Sequence, residues 1–278
     1  MKLFIVDAFS SKSFKGNPAG VFMISKKLSN DFLQKVASEI NLSETAFVES
    51  RDDKTFSVEK HFKLRWFTPE VEMKLCGHAT LAAAKVLFEH YENVNDILSF
   101  YTKSGEITCY KKEDKIEIKL PLNEPDIQEE LISFENLSNL KDEEILNCVY
   151  NKETQKLLVE IDSLDKLKGV LFDVNKLKSK VFPNALKGLI ITTKGDEEFD
   201  FYSRYFAPWV GVNEDPVTGS AHTLLYPYWS KKLNKEVLLA KQVSKRGGVM
   251  ELYEKDGKLI IAGESVITFS GQFQGEAF

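Results

Sequence analysis

Little in this chain invites cross-linking, membrane insertion or nucleic-acid binding. Its 278 residues hold only three cysteines, Cys76, Cys109 and Cys148. That odd number lacks the spacing of a disulfide framework, so a reducing compartment is expected. No apolar run approaches the roughly 20 residues of a membrane-spanning helix. The opening MKLFIVDAF is too short an apolar stretch for a secretory signal and has no small-residue cleavage site. The cytoplasm is the expected location. Basic residues are outnumbered, 37 against 42 acidic, for a net charge of −5. Nucleic acid and anionic bilayers reward the opposite balance, so neither is expected as a partner. The histidines, His61, His78, His90 and His222, fall at no zinc-ligand spacing, and no metal is expected. No Gly-rich phosphate loop follows a strand-like run; Arg246-Gly247-Gly248 reads as a turn.

What is present describes a folded protein. Hydrophobic residues make 43% and charged residues 28% of the chain, the balance of a globular molecule. The length favours two domains. Strands are predicted over 3–9, 19–24, 60–67, 107–110 and 115–120, and a helix follows Ser29 or Asn30, with Phe32, Leu33, Val36 and Ile40 on one face. Residues 79–88, ATLAAAKVLF, are small or apolar on nearly every side, which places a helix inside a core. Prolines at 121 and 125 break the pattern before an acidic, helix-compatible stretch. The domain boundary is drawn there: residues 1–122 form one lobe, 123–265 the other, and a final strand near 266–278 returns to the first. In the second half, strands are expected over 156–161, 188–193 and 199–206, then a loop and helix over 215–229, then a hairpin turning at Asp256-Gly257.

Two turns echo one another. Leu75-Cys76-Gly77-His78-Ala79-Thr80 and Val217-Thr218-Gly219-Ser220-Ala221-His222 each end a loop at a glycine and enter an apolar helix. A helix start offers backbone N–H groups and partial positive charge, and Gly77 and Gly219 let a carboxylate come close. His78, Asp215 and Ser220 flank these turns, although a core histidine, a turn former and a helix cap explain them equally well. Glu44 enters an apolar run, where partial burial would raise its pKa towards useful acid–base values; a surface carboxylate is the plainer alternative. Cys76 and His78, two residues apart, need not face each other, and no third group to orient them is evident.

Five motifs in order resemble the PhzF (phenazine biosynthesis-like) family. They are Gly16-Asn17-Pro18-Ala19-Gly20-Val21, Leu42-Ser43-Glu44-Thr45-Ala46-Phe47, Arg65-Trp66-Phe67-Thr68-Pro69-Glu70-Val71-Glu72, the Cys76-Gly77-His78 turn, and Asn213-Glu214-Asp215-Pro216-Val217-Thr218-Gly219-Ser220-Ala221-His222. The resemblance implies an α+β, diaminopimelate epimerase-like fold. Its two similar lobes each wrap an antiparallel, barrel-like sheet around a central apolar helix, and the site lies between them. It also implies a cofactor-independent isomerase, a homodimer, and a small carboxylate-bearing substrate. By the same resemblance Glu44, His78 and Asp215 are catalytic. Gly77, Gly219, Ser220, Asn17, Cys76 and Thr218 bind substrate. Arg204 and Arg246 are expected as rim or support residues. Epimerase relatives place a second cysteine where Thr218 stands, so Glu44 is expected as the single acid–base. The alternatives are a non-catalytic acid-binding protein and a Cys76-dependent thiol enzyme.

Overall fold

The computed structural model describes residues 1–130 and 132–275. The chain forms two compact units, Met1–Leu120 with Ile260–Phe278, and Pro121–Leu259.

The first unit runs β1 (Lys2–Ala8), β2 (Asn17–Ile24), α1 (Asn30–Ile40), β3 (Glu44–Glu49), β4 (His61–Phe67), β5 (Glu72–Met73), α2 (Gly77–Lys85), β6 (Ile97–Thr102), β7 (Gly105–Lys112) and β8 (Lys115–Pro121). β1 and β2 pair antiparallel, β2 and β3 parallel, β3 and β4 antiparallel, β4 and β6 parallel, and β6 and β7 antiparallel. Each parallel pair spans a helical crossover, α1 and then α2, because parallel neighbours cannot be joined by a tight turn. Ser29 caps α1, accepting from the Phe32 N–H at 3.2 Å. The helix lays Leu33, Val36 and Ala37 on Phe22, Phe47 and Phe67. Strand alternation sends Val21 and Ala46 to the opposite face. α2 packs against β1, β2 and β3 and is buried from His78 to Lys85, as a helix apolar on every side requires. It starts at Gly77, two residues before the expected position, and continues into a π turn over Val86–His90.

The second unit runs β9 (Ile127–Gln128), β10 (Ile145–Asn151), β11 (Lys156–Ile161), α3 (Leu164–Gly169), α4 (Val174–Ser179), β12 (Gly188–Lys194), β13 (Phe201–Ala207), β14 (Val212–Asp215), α5 (Gly219–Leu233), β15 (Val237–Gln242) and β16 (Gly248–Lys255). The pairing from β10 repeats that from β1: β10 and β11 antiparallel, β11 and β12 parallel, β12 and β13 antiparallel, β13 and β15 parallel, β15 and β16 antiparallel. The short echo at the two glycine turns therefore belongs to a repeated topology. The α+β class holds, with each sheet mixed rather than wholly antiparallel, since every crossover brings a parallel pair. α5 carries Pro227 in its interior. A proline there leaves the carbonyl four residues back without its helical donor. The Asn123 N–H takes that carbonyl, Thr223 O, at 3.1 Å.

β17 (Lys258–Gly263) and β18 (Ser265–Gln272) complete the chain's strands. β18 lies antiparallel on β1, from Lys2↔Gln272 to Ala8↔Ser265. The chain thus rejoins the first unit from Ile260, ahead of the expected 266; the positions 276–278 of that expected strand lie outside the described residues. The acidic stretch after Pro125 forms no helix beyond a 3-10 turn at Asp142–Glu144. Its apolar residues Ile127, Ile132, Phe134, Leu137 and Leu140 are all drawn onto the core of the second unit, and Asn136 adopts φ 61°. That anchoring outweighs a weak helix propensity. Strands β6, β10 and β15 and the short β5, β9 and β14 were not anticipated: β6 and β10 carry Ser99 and Asn147 within them, and β15 opens on an unbroken apolar run instead of an alternation.

Candidate functional site

In the first unit, four expected residues converge. Asn17 opens β2, and Glu44 opens β3 beside Ala19 in parallel register. Cys76 is the residue before α2 and His78 its second residue. His78 Nε2 lies 3.2 Å from Glu44 Oε2, and Cys76 Sγ lies 3.6 Å from His78 Nδ1. The Asn17 amide meets His78 Nδ1 at 3.2 Å, and Ser43 Oγ donates to Asn17 Oδ1 at 3.5 Å. Cys76 and His78 do face each other, contrary to the reading of their spacing. Cys76 is extended (φ −147°) and the helix begins at once, so the side chains on either side of Gly77 meet. Glu44 is the third group that sequence reasoning could not find, because it arrives from β3.

The electrostatics follow from burial and proximity. Burial pushes the Glu44 carboxyl up, but the facing His78 outweighs it and holds the carboxyl below its ordinary value. Burial likewise opposes charge on His78, and the Cys76 and Glu44 groups together raise it well above an ordinary imidazole. Burial raises the Cys76 thiol, so at neutral pH it is protonated and Glu44 alone supports the imidazolium. The Glu44 carboxylate therefore favours the protonated form of the facing His78. An imidazolium donates from both nitrogens, which requires Asn17 to present its oxygen to Nδ1. The amide's two orientations occupy the same atomic positions, and with the oxygen on Nδ1 the amide NH2 faces Ser43 Oγ, which then accepts instead of donating.

The second unit assembles the other candidates at the start of α5. Asp215 ends β14 and is buried, and Thr218 precedes the helix. Thr218 Oγ1 donates to Asp215 Oδ2 at 2.5 Å. The Thr218 N–H donates to Gln242 Oε1 at 2.9 Å, while Gln242 Nε2 donates to Asp215 O at 2.6 Å. Thr218 is therefore occupied in bracing this turn. Gly219 is buried and Ser220 half-buried, and the Ser220 carbonyl accepts from Lys156 Nζ at 2.9 Å. Gln242 and Lys156 were missed. Gln242 ends an unanticipated strand, and Lys156 looked like the first residue of an ordinary one. Of the two expected roles, rim or support, Arg204 takes support. It is buried, binds both oxygens of Glu214 at 2.7 and 3.0 Å, and donates to Val170 O at 2.6 Å.

A model of the phenazine biosynthesis-like protein family matches residues 6–271. The chain belongs to this family. A phenazine biosynthesis-like domain-containing protein of Bos taurus is 44% identical over 283 residues, covering 98% of each chain. A protein of Halalkalibacterium halodurans named as an uncharacterized isomerase is 41% identical over 266 residues, 95% of each. The solved structure of a PhzF-family phenazine biosynthesis protein from Enterococcus faecalis matches with TM-score 0.86 and 38% identity over 97% of each chain. In this family member the Arg65 motif proves structural: Arg65 grips Glu72 at 2.8 and 2.9 Å, bracing β4 against β5. A surface groove of about 440 Å³ near Lys63, Arg65 and Lys103 includes none of the converging residues. Those three cations are matched by Glu49 and Glu72. None of the helices described is long and apolar enough to cross a membrane.

Proposed function

We propose that this chain is an isomerase that moves a proton on a small carboxylate-bearing substrate, with Glu44 as general acid–base. The observation carrying this reading is the buried Glu44–His78 pair, with its 3.2 Å contact, backed by Asn17. The carboxylate takes a proton from carbon next to an activating group, and His78 balances the charge while the proton is held. In the first unit Gly77 is the proposed substrate contact, using helix-start N–H groups for the carboxylate; Asp215, Gly219 and Ser220 are the proposed acid-binding residues of the second unit's own turn. The isomerase name of the bacterial relative supports the class of reaction. No cofactor enters the proposed step.

A well-placed acid–base accounts for roughly 10²–10⁴-fold in rate. Candidate acids incubated with the protein in deuterium oxide should gain deuterium at carbon, and Glu44→Gln should slow that exchange by this factor. Exchange at the wild-type rate in Glu44→Gln removes Glu44 from the mechanism. Binding of an acid with no exchange by the wild-type protein would favour the binding-protein reading. The close Cys76–His78 contact supports the thiol-enzyme alternative, but burial keeps the thiol protonated. Cys76→Ser should accordingly retain most of the exchange.

A further inference from the structure

Glu44, Cys76 and His78 also present three different ligand types to one point. Their ligating atoms all lie within 4.8 Å of one another. From His78 Nε2 the carboxylate oxygen is 3.2 Å away and the sulfur 4.0 Å. Metal–ligand bonds of about 2.0 Å to nitrogen or oxygen and 2.3 Å to sulfur, at tetrahedral angles, set ligand edges of about 3.3–3.6 Å. The nitrogen–oxygen edge already matches, and the Cys76 sulfur has to move in by about half an ångström or more to complete the set. Glu44 Oε2 is buried and faces Nε2 as an ion-pair partner without an aligned hydrogen bond, so a cation entering between them takes over the charge that His78 supplies. The histidine spacing pointed away from a metal because two of the ligands, Glu44 and Cys76, are not histidines and come from β3 and the start of α2.

We propose that Glu44, Cys76 and His78 form a site for a thiophilic divalent cation of the zinc or cobalt class, and that its occupancy blocks proton transfer. An oxygen, nitrogen and sulfur set selects such ions over magnesium or calcium, which prefer oxygen alone. As the metal–sulfur bond forms, the Cys76 thiol proton leaves to solvent, and His78 gives up the proton on Nε2. The dication supplies the charge that burial otherwise denies the thiolate. With Nε2 on the metal, Nδ1–H donates to the Asn17 oxygen, the outer contact that fixes a ligating histidine. A fourth position is left for water or an added anion. The binding half of this inference stands on geometry alone, and the inhibitory half rests on the proton-transfer reading.

Titrating the reduced, metal-free protein with cobalt(II) tests it. A thiolate-to-cobalt charge-transfer band is expected in the wild type and in Cys109→Ser and Cys148→Ser, absent in Cys76→Ser, and displaced by zinc. Glu44→Gln and His78→Gln keep the thiol and should weaken cobalt binding by at least about tenfold, so the test survives a misfolded Cys76→Ser. No band in the folded wild type, a band surviving Cys76→Ser, or wild-type affinity in both ligand variants overturns the site. One equivalent of zinc should suppress deuterium exchange, and a chelator should restore it. Exchange unaffected by bound zinc overturns the inhibitory half. A cobalt band in a protein whose metal-free form exchanges nothing leaves the site standing and removes the isomerase reading instead.

Discussion

His222 shows how a buried residue writes pH into stability. It is fully buried, its Nδ1 sits 2.8 Å from Thr218 O, and its Nε2 has no hydrogen-bond partner among the described residues. Burial lowers its pKa from 6.5 to about 4. Between those values the unfolded chain binds a proton that the folded chain refuses. Stability is therefore intact above 6.5 and falls as pH drops towards 4, by roughly 3 kcal/mol over the window. Urea midpoints of His222→Gln should lose this part of the acid slope, and an unchanged slope would count against the assignment. Lys156 has the mirror-image problem at the alkaline end. Its ammonium is buried with the Ser220 carbonyl as partner, and burial lowers its pKa from 10.5 to about 8. The folded state gives up this proton first, so stability rises as pH climbs from 8 to 10.5. Lys156→Met should raise the melting temperature at pH 7 and lose most of that advantage at pH 10. An equal gain at both values would show that the charge is not the cause. Neither behaviour was legible in the sequence, where His222 looked like part of an echo and Lys156 like a strand residue. Glu44 and His78 were legible as residues through their motifs. Their 3.2 Å meeting was not, since it depends on β3 lying beside β2 and α2 packing on both.

Elements in the two units are held by the same device, which sequence reading did not detect. Arg65 on β4 grips Glu72 on β5 and stacks over the Phe67 ring at 5.0 Å; Arg204 on β13 grips Glu214 on β14 and stacks over Phe206 at 4.9 Å. In each case an Arg-aromatic-Phe strand is tied to the short strand ahead of the glycine turn. The brace thus fixes the entry to α2 or α5, where the candidate residues sit. Rim and support were both open for Arg204, because an isolated arginine on a strand gives no sign of its partner ten residues on. Glu214 is partly reached by water, so removing the buried Arg204 loses its charged hydrogen bonds without stranding a fully buried carboxylate, at roughly 1–3 kcal/mol. Arg204→Ala should cost about that much in denaturant unfolding. Arg204→Met combined with Glu214→Gln should recover a good part of it. A double variant as unstable as the single would mean that Arg204 acts through the Leu167 and Val170 carbonyls instead.

At the scale of the whole molecule, one plan is used twice, and the proposed acid–base belongs to one copy. By strand register Ala19 and Glu44 correspond to Lys156 and Gly188. The second copy thus carries no carboxylate where the first carries its proposed acid–base. It could not readily take one, because a Cβ at Gly188 would run into the Tyr205 ring and hydroxyl. The two-residue helix-turn echo hinted at this duplication, but the repeated pairing order could only be read from the fold, since equivalent strands share little beyond period. The copies also close differently. The first unit is completed by the end of the chain, with β18 running the full length of β1. The second unit has its own core from Phe134 to Phe206, built without those residues. Stopping the chain before Ser265 should therefore strip the inter-strand hydrogen bonds from one edge of β1 and open the first unit preferentially. Hydrogen exchange resolved by segment would show it, as lost protection in β1, β2 and α2 with β11, β12 and β13 still protected. Equal loss in all six elements would mean that the two units unfold as one cooperative body, and the residue-scale pH effects in the second unit would then report on both.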